Sequence, residues 1–199
     1  MKTGPLTPRT IVLDTPHYIA RTLESADITP AWQDWLRDPT AASNLNAKPA
    51  TATREQLRDY VQSFNRTTSH LLGIFEKETG RLIGIRAIYL NPEHNEFLVN
   101  VLVGETEARN KGARSETGDA MYQYFFEETG LGSARCSVLS TNEPILKVMR
   151  SDGWLHEHTS HKPAANGQVL VELRHFRLTR EVWRRKEAEK KAAIVAQGD

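Results

Sequence analysis

The order of elements along this sequence predicts a mixed α/β (α+β) domain, and three observations carry that reading. A hairpin pattern, HLLGIFEKETGRLIGIRAIYL, lies mid-chain with Thr79-Gly80 at its turn. A further strand, Glu96 to Val103, follows at once after the turn Asn91-Pro92. Beyond it, strand and helix signals alternate, so antiparallel strands are interleaved with helices and strand–helix units fill the second half.

The elements follow in order. Tyr18 to Leu23 reads as a first strand, and Pro30 to Leu36, with Trp32 and Trp35, as a short helix. Asp38 to Pro49 is rich in Pro, Ala, Asn and Ser and reads as loop. Thr53 with Gln56 three residues on is a capping-box signature, and Leu57, Tyr60, Val61 and Phe64 then recur at helical spacing. After the three strands, Ala113 to Glu128 predicts a helix with Thr117, Met121, Tyr124 and Phe125 as its apolar stripe, ended by Gly130 and Gly132. Ala134 to Leu139 is a strand. Asn142-Glu143-Pro144 opens a helix with Asn142 as its cap, Ile145, Val148 and Met149 face inward, and Gly153 stops it. Trp154 to His158 and Val169 to Leu178 are the last strands, separated by the loop Lys162 to Gly167. The tail alternates charge from Arg180 to Lys191, with pairs such as Glu181–Arg185 and Glu187–Lys191, and reads as a solvated helix. The chain is therefore expected to be one domain, residues 1–178, with a charged helical tail, residues 179–199.

Composition narrows the function classes. The 199 residues carry 26 Lys+Arg against 25 Asp+Glu, a balance that counts against nucleic acid or an acidic membrane as partner. A single cysteine, Cys136, excludes an internal disulfide framework and fits a reducing, cytoplasmic compartment. The amino-terminal stretch lacks the long apolar segment of a secretory signal, and no apolar run approaches the ~20 residues needed to span a bilayer.

The stretch EARNKGARSETG, Glu107 to Gly118, is where chemistry shows first. It lies between a strand and an amphipathic helix, the context in which backbone N–H groups and the helix dipole hold an anion. Gly112 suits a close approach of backbone to ligand. The stretch is neither a P-loop nor a three-glycine dinucleotide fingerprint. By spacing alone, a phosphate cradle and an ordinary charged loop both stay open.

A strand, then Arg109-Asn110-Lys111-Gly112-Ala113-Arg114-Ser115-Glu116 at a helix start, then a second strand and Asn142 opening a helix that ends at Gly153-Trp154, resembles the GNAT superfamily of N-acetyltransferases. The similarity is to the branch that holds the ribosomal-protein alanine and serine acetyltransferases and several amino-sugar acetyltransferases, and it covers roughly Ser69 to His158. It implies an acyl-CoA N-acyltransferase fold, a mostly antiparallel twisted central sheet flanked by helices. It implies acetyl-CoA as cosubstrate, with pyrophosphate on the amides of Arg109, Asn110, Lys111, Gly112, Ala113 and Arg114. Val101, Leu102 and Val103 would offer strand N–H and C=O groups to the pantetheine, with an oxyanion donor near Leu102. Asn142 would contact the reactive end of the cofactor, and Glu96 would be the base that accepts the amine proton. Arg114 stands where the family usually has Gly or Ala. Ile145 and Met149 stand where members carry a Tyr or Ser proton donor, which leaves the acid unassigned.

The reading is transfer of an acetyl group from acetyl-CoA to a primary amine by direct attack, the acceptor being a protein amino terminus, an amino sugar or another small amine. The alternative is a GNAT-fold module that binds CoA without turnover. A homodimer is left open. His156 and His158 share a face of a regular strand, but with His161 they lack a third ligand at convincing spacing, and no metal is expected. Trp32, Trp35, Tyr60 and Phe64 read as core, and Cys136 as a small core residue rather than a nucleophile.

Overall fold

The computed structural model describes residues 7–44, 51–109, 111–165, 167 and 169–197. Among these, eight strands form one sheet. They are β1 (Val12–Asp14), β2 (Tyr18–Thr22), β3 (Ser69–Glu76), β4 (Leu82–Asn91), β5 (Glu96–Val103), β6 (Ser133–Leu139), β7 (Leu155–Pro163) and β8 (Leu170–Thr179). The helices are α1 (Pro30–Arg37), α2 (Pro39–Asn44), α3 (Arg54–Gln62), α4 (Ala113–Thr129), α5 (Glu143–Ser151) and α6 (Arg180–Gln197). The strands lie in the order β1-β2-β3-β4-β5-β6-β8-β7, and every neighbouring pair is antiparallel except β5 with β6. That pair is parallel because α4 carries the chain back across the sheet between them, as a parallel connection requires.

A core lies on each face. Leu71, Phe75, Ile85 and Ala87 face α1 and α3, where Trp32, Trp35, Leu57 and Val61 meet them. Leu72, Ile88, Phe97 and Val99 face the other way, onto Met121, Phe125 and Phe126 of α4. Strand β3 is covered on both sides, which is why SHLLGIFE reads as a continuous apolar run without alternation. Trp32 and Trp35 are thus core residues. Gly104, just past β5, leaves room for Trp35: a Cβ there would lie 1.9 Å from the indole ring.

Local chemistry explains the helix starts. Thr53 and Gln56 form the expected capping box, Gln56 N–H donating to Thr53 Oγ1 at 3.1 Å and Thr53 N–H to Gln56 Oε1 at 2.8 Å. Three segments depart from expectation. Pro39–Asn44 is helical rather than loop, with Pro39 at its first position and Ala41 and Ala42 buried; residues 45–50 of that predicted loop lie outside the described residues. Strand β1 was not expected, because three residues with only Leu13 buried carry no periodic signal. The β7–β8 ladder runs on to Pro163↔Leu170, so β7 extends past its predicted end at His158 into the predicted loop. Pro163 is tolerated there because β7 is the edge of the sheet.

The charged tail forms α6, and its start is not solvated. Trp183 is buried in the α4-side core, its ring centroid 5.4 Å from that of Phe126. Arg184 donates to Glu127 at 2.8 Å and Lys190 to Asp119 at 2.8 Å, both on α4. The expected pairs Glu181–Arg185 and Glu187–Lys191 give way to Lys186–Glu189 and Lys190–Glu187. Trp183→Ala should therefore lower the unfolding free energy by about 3–5 kcal/mol in urea titration. A loss below about 1 kcal/mol would make α6 a surface appendage.

Candidate active site

Strands β5 and β6 begin side by side and then part. Their pairing covers only Glu96↔Ser133, Phe97↔Ala134 and Leu98↔Arg135. Strand β5 continues to Val103, still paired with Gly84 of β4. The phase of the ladder says which backbone groups the parting exposes. Leu90 of β4 donates to Thr68 O on the β3 side, and Gly104 donates to Ile83 O. On β5 the even-numbered residues therefore bond toward β4 and the odd-numbered ones turn away from it. Leu102, expected to supply an outward N–H, points it at β4 instead. Val101, beyond the last parallel pair, presents N–H and C=O to the open side, while Val103 C=O already accepts from Arg109 Nε at 3.1 Å. Of the three residues expected to face outward, strand alternation turns Leu102 toward β4 and leaves Val101 open.

The parting leaves a cleft of about 430 Å³. Val99 to Val103 form one wall, Cys136 to Val138 with α5 a second, and Arg114, Gly118 and Tyr122 of α4 a third. Gly112 precedes α4 with φ +82°, a left-handed conformation that favours glycine, and a Cβ there would meet nothing within 4 Å. The need for glycine is thus conformational, and the space beside the helix start is open. No side chain at Gly112 caps the helix, so its first-turn N–H groups remain available to an anion.

Two of the amides expected to face a phosphate are engaged within the chain. The N–H of Arg109 donates to Thr106 O at 3.2 Å and that of Lys111 to Ala108 O at 3.2 Å, within the turn that leads into α4. Asn110 lies outside the described residues. The Arg109 guanidinium bonds Asp38 at 2.7 Å and Gly104 O at 3.0 Å, so it braces the segment between β5 and α4. Ala113 is fully buried and packs with Val101 and Val103, holding the first turn close to the sheet. Arg114 lines the cleft, and its buried Nε has no hydrogen-bond acceptor among the described residues.

Arg86 and Tyr122 are among the cleft residues missed in the sequence. Arg86, in the middle of apolar β4, is buried, donates from Nε to Thr117 Oγ1 at 3.1 Å and from Nη2 to Arg114 O, and lines the cleft. Burial pushes its pKa down to about 10, which leaves it charged at neutral pH. An arginine inside LIGIRAIYL was the available signal. Tyr122 falls four residues after Gly118 and eight after Arg114, one stripe of α4 that the apolar pattern Thr117-Met121-Phe125 obscured.

On α5, Ile145 and Met149 line the cleft, as their positions implied, and neither can donate a proton. Asn142 also lines it, but its side chain makes no capping bond: ψ is 64°, away from the extended value that aims a cap at the helix amides. Only its carbonyl serves the helix, accepting from Leu146 N–H at 3.0 Å. Cys136 lies 3.6 Å from Met149 Sδ, and burial pushes its thiol up to about 12, so it is no thiolate nucleophile. Glu96 stands on the other face of the sheet, its carboxylate 2.7 Å from Arg135. His156 and His158 do not share a face after all: a bulge between them sets His156 opposite Phe176 and His158 opposite His175.

Because the Asn142 side chain does not cap, Asn142→Ala should cost less than about 0.5 kcal/mol in chemical unfolding, where a working cap is worth about 1 kcal/mol. A loss of about 1 kcal/mol or more would restore the cap.

Comparison with known proteins agrees with this geometry. No curated sequence is similar to the chain at a significant level. Solved structures share the fold. Ribosomal-protein-S5-alanine acetyltransferase from Vibrio fischeri matches with TM-score 0.74 and 15% identity, over 87% of this chain and 98% of that one. Spermidine N-acetyltransferase from Vibrio cholerae, in complex with CoA and spermine, matches with TM-score 0.73 and 14% identity, over 84% and 98%. A GCN5-related N-acetyltransferase from Brucella melitensis matches with TM-score 0.76 and 14% identity, over 93% and 86%. Residues 18–154 match the family model for the GNAT acetyltransferase domain, most of the chain and every wall of the cleft. The chain belongs to the GNAT acetyltransferases, enzymes that use acetyl-CoA to acylate amines.

Proposed function

We propose that this enzyme transfers an acetyl group from acetyl-CoA to a primary amine by direct attack, with the donor in the cleft between β5 and β6 and the amine entering from the opposite face. The observation that carries the reading is the early end of the β5–β6 ladder at Leu98↔Arg135, which opens Val101 to a ligand in the same cleft as the start of α4.

The residues suit the donor. An extended pantetheine arm can pair with Val101 as an added strand would. The first-turn amides of α4, beside the open space at Gly112, suit a pyrophosphate, with Lys111 exposed and Arg114 lining the cleft. Val101 N–H is the donor for the developing oxyanion, and Asn142 contacts the donor from the α5 wall. Cys136, held protonated, supports attack by the amine itself rather than an acyl-enzyme.

Glu96 is the group proposed to take the first proton from the ammonium. It lines the cavity on the acceptor side, where its ion pair with Arg135 holds the carboxylate in place. The similar folds act, by their names, on a ribosomal protein and on spermidine, so a protein amino terminus, an amino sugar and other small amines are the acceptor classes to try. No described helix is long and apolar enough to cross a bilayer. The single cysteine suits a reducing compartment, and we place the enzyme in the cytoplasm.

The cofactor site is checked by thermal shift. Asn and Asp both tolerate the left-handed backbone better than most residues, so Gly112→Asn and Gly112→Asp differ chiefly in charge. Acetyl-CoA should still raise the Tm of Gly112→Asn but not that of Gly112→Asp. An equal shift in both would put the pyrophosphate elsewhere.

Turnover is checked by free-thiol release across a panel of primary amines. Glu96→Gln should lower kcat by about 100-fold with the accepted amine and leave the acetyl-CoA thermal shift intact. Unchanged kcat would remove Glu96 from the chemistry.

A further inference from the structure

The proton that a leaving sulfur needs has no source on α5, where Ile145 and Met149 face the cleft. A candidate lies on the other side of the same gap. A second cavity, about 150 Å³, opens on the opposite face of the sheet, lined in part by Glu96, Asn100, Arg135, Ser137, Glu157 and His175. Val99, Asn100, Cys136 and Ser137 border both cavities, so the two adjoin where β5 and β6 part. Ser137 lies on β6 two residues past Arg135, the last residue paired with β5, and opposite His175 of β8 in register. Its Oγ is 2.9 Å from His175 Nδ1, and His175 Nε2 is 2.7 Å from Ser160 Oγ. Both ring nitrogens are therefore engaged by hydroxyls, and one hydroxyl stands at the junction of the cavities.

The geometry points to Ser137 and His175 as a proton relay for acyl transfer, in which Ser137 Oγ touches the reacting atoms and His175 acts through it. This rests on the reading of the gap as the place where amine and thioester meet. The ammonium first loses one proton to Glu96 and then to solvent. The neutral nitrogen attacks the thioester carbon, the N–C bond forms and the carbonyl electrons move to oxygen. The nitrogen, now positive, passes a second proton to Ser137 Oγ as Ser137 passes its own to His175 Nδ1. The oxyanion pair then re-forms the C=O bond as the C–S bond breaks with its electron pair on sulfur, and a proton is relayed from His175 through Ser137 to that sulfur. The third ammonium proton stays on the amide. The ring tautomer required carries its hydrogen on Nε2, donated to Ser160, and leaves Nδ1 to accept.

The surroundings suit an acceptor. Burial, the stacked ring of His158 and the Arg135 guanidinium hold His175 below the ordinary histidine value, so it is neutral at neutral pH. The ring facing it is His158, at 4.3 Å between centroids and 8° between planes, with Glu157 on β7 and Arg135 on β6, itself paired with Glu96 of β5, close by; His156, on the other face of β7, adds a weaker charge effect.

The experiment compares wild type, Ser137→Ala, Ser137→Thr and His175→Gln, each shown folded by its melt and each tested for the acetyl-CoA thermal shift. Ser137→Ala and His175→Gln should lose about 100-fold in kcat with that shift unchanged, while Ser137→Thr, which keeps the hydroxyl, retains most of the rate. In wild type, kcat should fall on acidification with an apparent pKa below 6.5, and that step should vanish from the profile of His175→Gln. Unchanged kcat in Ser137→Ala, or persistence of that same acid step at an unchanged apparent pKa in His175→Gln, would overturn the relay while leaving acyl transfer standing. Wild type that binds acetyl-CoA yet releases no thiol with any amine would overturn the proposed function and the relay with it.

Discussion

Backbone N–H and C=O groups in a sheet need partners, and beyond Leu98 strand β5 has them along one edge only. The other edge is left open because β6 turns away to pair with β8 along its whole length, from Ser133↔Thr179 to Leu139↔Leu173. A strand cannot keep a neighbour on both sides if that neighbour diverges. The open edge at Val101 is the price of the cleft, and it has the geometry to pair with an extended ligand. The cleft, its adjoining cavity and the placing of α4 all follow from that one break in the ladder.

The break needs support, since a parted sheet has lost the bonds that would otherwise hold its strands. Trp35 packs against Gly104, and its Nε1 donates to Glu105 at 2.9 Å, pinning the end of β5 to α1. Arg109 ties the same end to Asp38. On the other face, Glu116 accepts from Thr15 Oγ1 at 2.5 Å and from His17 N–H at 2.7 Å, fixing the first turns of α4 to the β1–β2 turn. Burial alone would raise the pKa of Glu116, but those bonds hold the carboxyl below its usual value, so the anchor is charged at neutral pH. The small strand β1 thereby helps to aim the helix that walls the cleft.

Charge and apolarity are divided between the two faces of the gap. The donor side is walled by Val99, Ile145 and Met149 and supplied with cations, Arg86 and Arg114, beside an uncapped helix start. That combination suits an anionic ligand with a long neutral arm. The adjoining cavity holds ionisable groups in pairs, Glu96 with Arg135 and Arg135 with Glu157, and hydroxyls around an imidazole. The thiol of Cys136, at the border, is kept protonated and out of the chemistry.

The local elements were legible in the sequence because local physics makes them. The capping box at Thr53, the hairpin at Gly80, the strand from Glu96 to Val103 and the glycine stops at Gly130 and Gly153 depend on neighbours in the chain, and all appear in place. The motif around Gly112 likewise marked the start of α4. Other features were decided only by tertiary structure. Whether Leu102 or Val101 faces outward depends on the phase of a ladder set by β3 and β4, and no residue of β5 encodes it. Asn142 has the sequence of a cap, yet its backbone angles turn the side chain away from the helix amides. His156 and His158 part because a bulge adapts β7 to β8. Ser137 and His175, 38 residues apart, meet only because two antiparallel strands bring them opposite each other. Periodicity and capping act within a turn or a pleat and can be read along the chain. Register between strands is a property of the pair, and it exists only once the sheet has formed.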